Sequence, residues 1–85
     1  MSGIDYSKLR SLTAREIINA LIKHGFVLER KSASGHHHQY YNPDGRRVTV
    51  SYHKPSDTFP PKTLKSMIEI QAKWKIEDLK RLKLI

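Results

Sequence analysis

The sequence predicts an α+β fold: a two-layer sandwich with helices on one face of a three-stranded antiparallel sheet. Three observations carry that expectation. Runs with helical spacing of apolar residues bracket a middle region where apolar and polar residues alternate. Pro43-Asp44-Gly45 lies in that region. Proline presets φ and glycine accepts positive φ, so a tight hairpin joins the last two strands. The chain has 85 residues, the size of one small domain, and a three-stranded sheet with one apolar face needs a helical cover.

The elements follow in order. Residues 1–12 read as an arm with weak structure. Thr13-Ala14-Arg15-Glu16 has capping-box spacing, a hydroxyl followed three residues on by a glutamate. Ile17, Ile18, Leu21 and Ile22 then share one helical face, and Gly25 is placed to end the helix. The first helix is therefore expected over residues 14–24. Phe26 to Lys31 reads as a strand, with Phe26 and Leu28 on one side. Ser32 to Gly35 is small and polar, hence a turn. His36 to Asn42 is the second strand and Arg46 to His53 the third, where Val48, Val50 and Tyr52 alternate with Arg47, Thr49 and Ser51. Lys54 to Pro61 is a proline-containing loop. Lys62 to Ala72 reads as a second long helix, with Leu64, Met67, Ile68 and the Gln71-Ala72 pair as its buried stripe. A last short helix is expected over residues 76–82, pairing Leu79 and Leu82 with Trp74 or Ile76. The resulting α-β-β-β-α order plus a short C-terminal helix resembles the double-stranded-RNA-binding fold in order and size.

Sixteen Lys+Arg against eight Asp+Glu give a formal charge of +8. A small domain that basic attracts polyanions, nucleic acid first and an acidic protein second. There is no cysteine, which removes disulfides and thiolate metal sites. No apolar run approaches the roughly 18 residues that cross a membrane, and no signal-peptide pattern is present. The expected compartment is cytoplasmic.

Gly35-His36-His37-His38-Gln39-Tyr40-Tyr41 holds three of the five histidines. Neighbours on a strand alternate faces. His36 and His38 are thus expected on one side with Tyr40, and His37 on the other with Gln39 and Tyr41. Only His36 and His38 would reach a common ion, with His53 approaching from the third strand, and no acidic or cysteine ligand completes a set nearby. No metal and no cofactor are expected. Imidazole can take and return a proton near neutral pH, so one histidine suits a general acid or base. RNA carries its own nucleophile, the 2′-hydroxyl. A base that removes its proton lets it attack the adjacent phosphate, while nearby cations stabilise the charge that develops. Arg30, Lys31, Arg46 and Arg47 lie on strands beside the histidines. Lys62 and Lys65 near a helix start suit either a phosphate or solvent. His24 suits a helix C-terminus. Tyr40, Tyr41, Tyr52 and Trp74 suit either base stacking or packing.

Several segments together resemble the HicA toxin family of bacterial toxin–antitoxin modules. They are Arg15-Glu16-Ile17-Ile18 with Leu21 and Lys23-His24-Gly25-Phe26; Gly35-His36-His37-His38-Gln39-Tyr40; Asn42-Pro43-Asp44-Gly45-Arg46; Val48-Thr49-Val50 with His53; and Thr63-Leu64-Lys65-Ser66 with Ile68. The chain then reads as one HicA-like domain over residues 1–85, with its core at about 13–72 and a helical tail at 73–85. Counting back from Pro43 aligns the family's catalytic histidine with His37, with His36, His38 and His53 as supporting candidates. His36 stands where the family usually has serine, Ser51 where proline is common, and Lys62 where glycine is common.

The resemblance implies a metal-independent mRNA interferase with His37 as general base. Arg30, Lys31, Arg46, Arg47, Lys62 and Lys65 would bind RNA, and a HicB-type antitoxin would cover His37 and the basic face. Two other readings compete with it. One is a noncatalytic RNA-binding module on the same fold; the other is a basic adaptor that binds only protein.

Overall fold

A computed structural model describes residues 4–31, 33 and 35–85. Its order is α1 (Ala14–Lys23), β1 (Val27–Lys31), β2 (His37–Tyr41), β3 (Arg47–Ser51), α2 (Pro61–Lys65), a π-helical segment (Ser66–Gln71) and α3 (Ile76–Arg81). This is the predicted α+β sandwich of double-stranded-RNA-binding type. Residues 1–3 of the predicted arm, and Ser32 and Ser34 of the predicted turn, lie outside the described residues.

Local signals place α1. Thr13 Oγ1 accepts from the Glu16 amide at 3.2 Å, and Glu16 Oε1 accepts from the Thr13 amide at 3.1 Å. Such a reciprocal cap stabilises a helix start by about 1 kcal/mol. Two further first-turn amides are satisfied from the loop after β3: Ala14 N donates to Asp57 O at 2.8 Å and Arg15 N to Pro55 O at 3.0 Å. Gly25, at φ +92°, ends the helix as expected, and the Phe26 amide turns back to Leu21 O at 2.9 Å. The buried face differs from the predicted stripe: Ala14, Ile17, Ala20 and Leu21 are buried, whereas Ile22 is 55% exposed.

The sheet order is β1-β2-β3, antiparallel throughout. The Asn42–Gly45 turn sets the β2–β3 register. Asn42 Oδ1 accepts from the Asp44 amide at 3.0 Å, Gly45 N donates to Asn42 O at 2.8 Å, and Asn42 N donates to Arg46 O at 2.9 Å. Asn42 is buried because its side-chain amide also donates to His24 O at 3.1 Å, tying the hairpin to the end of α1. Each predicted strand is trimmed at its ends by one or two residues.

His38 and Tyr40 on β2 pair with Val50 and Val48 on β3, and all four are buried under the helices. With Phe26, Leu64, Met67 and Ile68 they form the core. The opposite face of the sheet stays open. β1 departs from expectation. All five of its residues are exposed, Leu28 at 45%. It is an edge strand that pairs only with β2, it carries a bulge between Leu28 and Arg30, and the helices pack over β2 and β3.

Two further expectations are corrected. Residues 4–12 of the arm are packed, not loose, because Leu9 and Leu12 are buried in the core and Tyr6 donates to Glu69. The second long helix is not α-helical throughout. From Ser66 it widens into π geometry, with Ala72 N donating to Met67 O at 2.9 Å. Here Gln71 Oε1 accepts from Thr49 N at 2.8 Å while Gln71 Nε2 donates to Ser66 Oγ at 3.0 Å. One outward backbone amide on the edge of β3 is thereby satisfied by a side chain. The predicted stripe survives, with Leu64, Met67, Ile68 and Ala72 buried. Lys73, at φ +56°, then turns the chain so that Trp74 and Leu79 of the tail also enter the core. No helix among the described residues is long and apolar enough to cross a membrane.

Candidate active site

Alternation along β2 sends His37, Gln39 and Tyr41 to the open face, opposite Ser51, Thr49 and Arg47 of β3. Arg30 pairs with Gln39 from the other side. His37 is exposed, and its Nδ1 lies 2.7 Å from Ser51 Oγ. A pocket of about 360 Å³ is lined by Arg30, Lys31, Ala33, His37 and Gln39. One imidazole and two cations thus share one concavity on the open face. A larger cleft of about 500 Å³, lined by Ile4, Glu69, Lys73, Trp74, Lys75, Ile76 and Glu77, contains no histidine and balances its lysines with glutamates.

The other histidines separate. His38 is only 6% exposed and stacks on Tyr52, with ring centroids 4.4 Å apart and planes at 15°. Its Nδ1 has no hydrogen-bond partner. β2 begins at His37, but the His36 carbonyl still accepts from Tyr52 N at 2.9 Å, and the His36 ring meets His53, reaching in from just past the third strand, at a centroid distance of 4.0 Å. Among the described residues no group of three or more histidine or acidic side chains is placed to hold a metal ion. The His53 and Lys54 amides both donate to Asp57 Oδ2, at 2.9 and 3.1 Å. These two bonds hold the Asp57 carboxyl below the usual carboxylate range. His24 stacks on Trp74 at 5.8 Å, which joins the end of α1 to the tail.

The predicted phosphate binders also divide. Arg30 and Lys31 line the pocket. Arg47 stays exposed on the open face, with its guanidinium 5.2 Å from the Tyr41 ring centroid and 3.5 Å from the Glu29 carboxylate. Arg46 is committed to structure. Its Nε donates to Asp44 at 2.8 Å, its Nη1 donates to Ala72 O at 2.6 Å, and its guanidinium lies 5.1 Å from the Phe26 ring centroid. The Arg46 side chain also holds the Asp44 carboxyl below its ordinary range. Lys62 and Lys65 are exposed on α2 and do not line the pocket. Of the aromatic candidates, Tyr40 and Trp74 are core residues, and burial pushes the Tyr40 phenol up. Tyr41 alone among them lies on the His37 face. The sequence marked Ser51 only as a departure from the family's usual proline and placed Gln39 on the His37 side, and it gave neither a role. The signal for Ser51 was the register: five residues out from the Asn42–Arg46 pair on each strand lie His37 and Ser51.

The fold and this face define a class: a strongly basic sandwich of double-stranded-RNA-binding type, with a histidine and two cations around one pocket of its open sheet. A family model described as HicA toxin of bacterial toxin-antitoxin matches residues 14–74. The chain belongs to the HicA toxin family. A comparison with curated proteins gives no match.

Proposed function

We propose that the protein is an endoribonuclease toxin that cleaves mRNA in the cytoplasm without a metal ion, with His37 as its general base. One observation carries this reading: His37 stands exposed on the open face, in a pocket it shares with Arg30 and Lys31. His37 takes the proton of a ribose 2′-hydroxyl. The 2′-oxygen attacks the adjacent phosphorus, and the bond to the 5′-oxygen of the next nucleotide breaks. That oxygen leaves as a hydroxyl by taking up a proton. The products are a 2′,3′-cyclic phosphate and a 5′-hydroxyl end. Arg30 and Lys31 face the phosphate and stabilise the charge gained in the transition state. Tyr41 offers a stacking surface for a base and Arg47 a further phosphate contact. The same basic face fits an acidic HicB-type antitoxin, which silences the toxin by covering His37.

Cleavage of an unstructured RNA by wild type and His37→Ala, with a chelator present, tests the reading. Wild type is expected to cut and to leave cyclic phosphate ends. His37→Ala is expected to be inactive, as is wild type on RNA with a 2′-deoxy nucleotide at the cut site. Full cutting by His37→Ala would sink the proposal. The charge of +8 also fits a noncatalytic RNA-binding module, and intact RNA held tightly by wild type would establish that reading instead.

A further inference from the structure

The open face holds a contact that general-base catalysis by itself does not require. His37 and Ser51 are direct cross-strand partners. Tyr52 N donates to His36 O at 2.9 Å, so the neighbouring pair, His37 and Ser51, is of the non-hydrogen-bonded kind. Side chains in such pairs come closest, with Cα atoms about 4.5 Å apart. A serine there is short enough to meet an imidazole edge without leaving the strand, and its Oγ lies 2.7 Å from His37 Nδ1. A hydroxyl can accept a hydrogen bond from Nδ1–H whether the ring is neutral or charged.

We propose that Ser51 is the positioning residue of the site. By accepting a hydrogen bond from His37 Nδ1–H, it sets the tautomer and orientation of the ring, and so makes Nε2 the atom that takes the proton. The inference rests on the reading of His37 as general base. It adds which nitrogen works and what holds it. The nitrogen that carries the proton is set by the hydrogen bond the other edge of the ring makes. An unsupported imidazole in water prefers its proton on Nε2, the tautomer that cannot use Nε2 as a base. Ser51 reverses that preference. It also stays bonded when the ring becomes imidazolium, so the proton transfer needs no rearrangement of the side chain. The ring is thereby kept against the Arg30–Lys31 wall of the pocket, where a phosphate would sit.

Two readouts on Ser51→Ala and Ser51→Thr test this. The first is the 15N spectrum of the His37 ring in the intact protein, which distinguishes the two neutral tautomers. Wild type and Ser51→Thr are expected to show Nδ1–H, and Ser51→Ala to lose that preference, with the amide spectrum of the fold preserved in all three. The second is RNA cleavage. Ser51→Ala is expected to lose about tenfold in kcat with KM nearly unchanged, and Ser51→Thr to recover most of it. An unchanged tautomer in Ser51→Ala, or an undiminished kcat, overturns the proposal. If wild type shows Nδ1–H and Ser51→Ala loses it, but wild type cuts no RNA, the general-base reading fails. The bond is then real, but its catalytic role is overturned.

Discussion

On β2, His38 and Tyr40 turn toward the helices, whereas His37, Gln39 and Tyr41 turn away. Adjacent histidines therefore meet opposite surroundings. His38 is stacked on Tyr52 under the helical layer, with one ring nitrogen lacking any hydrogen bond. His37 is exposed, bonded to a serine, and beside two cations. The same division runs through Arg46 and Arg47. One is pinned by Asp44, the Ala72 carbonyl and the Phe26 ring, and the other stands on the open face over Tyr41. A strand alternates its side chains whatever their type, so residue identity alone does not separate a covered histidine or arginine from one on the open face. The face does.

The sharpest way to break that comparison is to remove each histidine in turn. His37→Ala should lower the cleavage rate by about 10²–10⁴-fold and leave the unfolding temperature unchanged. His38→Ala should cost about 1–3 kcal/mol of stability and reduce cleavage only as far as the protein unfolds. Thermal unfolding and cleavage measured side by side decide it. A folded, inactive His38→Ala protein would mean that the covered face takes part in the chemistry.

The tyrosines sharpen the contrast further. Tyr40→Ala should destabilise by about 3 kcal/mol, as large core truncations do. Tyr41→Ala should cost less than about 1 kcal/mol of stability, yet weaken binding of single-stranded RNA by about 1–3 kcal/mol if a base stacks there. Denaturant unfolding and RNA titration check the pair. Smaller again is the effect expected for the arginines. Arg46→Ala should destabilise by about 1–3 kcal/mol without altering the salt dependence of RNA binding. Arg47→Ala should keep its stability within about 0.5 kcal/mol and reduce the slope of log affinity against log salt by about 1.

The least effect concerns acid. Asp57 sits in the loop that satisfies the first amides of α1 and is held below the usual carboxylate range by the Lys54 and His53 amides. A depressed folded value means its contribution is complete above the unfolded value, near the ordinary 3.8, and is lost as pH falls through the folded value. Asp57→Asn should therefore flatten the acid end of the stability curve below about pH 4 and change nothing in its pH dependence at neutral pH. Urea midpoints taken across that range test it.

Much of this was legible in the residues. The capping box at Thr13, the glycine stop at Gly25 and the Pro-Asp-Gly turn each act over a handful of neighbours, so they read directly from the chain. Period-two alternation placed His37 apart from His38 and Tyr40, and the turn fixed the register that brings Ser51 to His37. Periodicity did not show that Leu28, expected beside the buried Phe26, stays 45% exposed, because β1 is an edge strand outside the helical cover.

The sequence by itself determined the helices, the hairpin and the face on which His37 stands, since these follow from backbone periodicity and turn chemistry. Only the tertiary structure decided that Arg46 is withdrawn to the Ala72 carbonyl, that Gln71 caps the Thr49 amide on the edge of β3, and that Leu9 completes the core. Those contacts join segments far apart in the chain. They depend on how layers pack, which local periodicity does not specify.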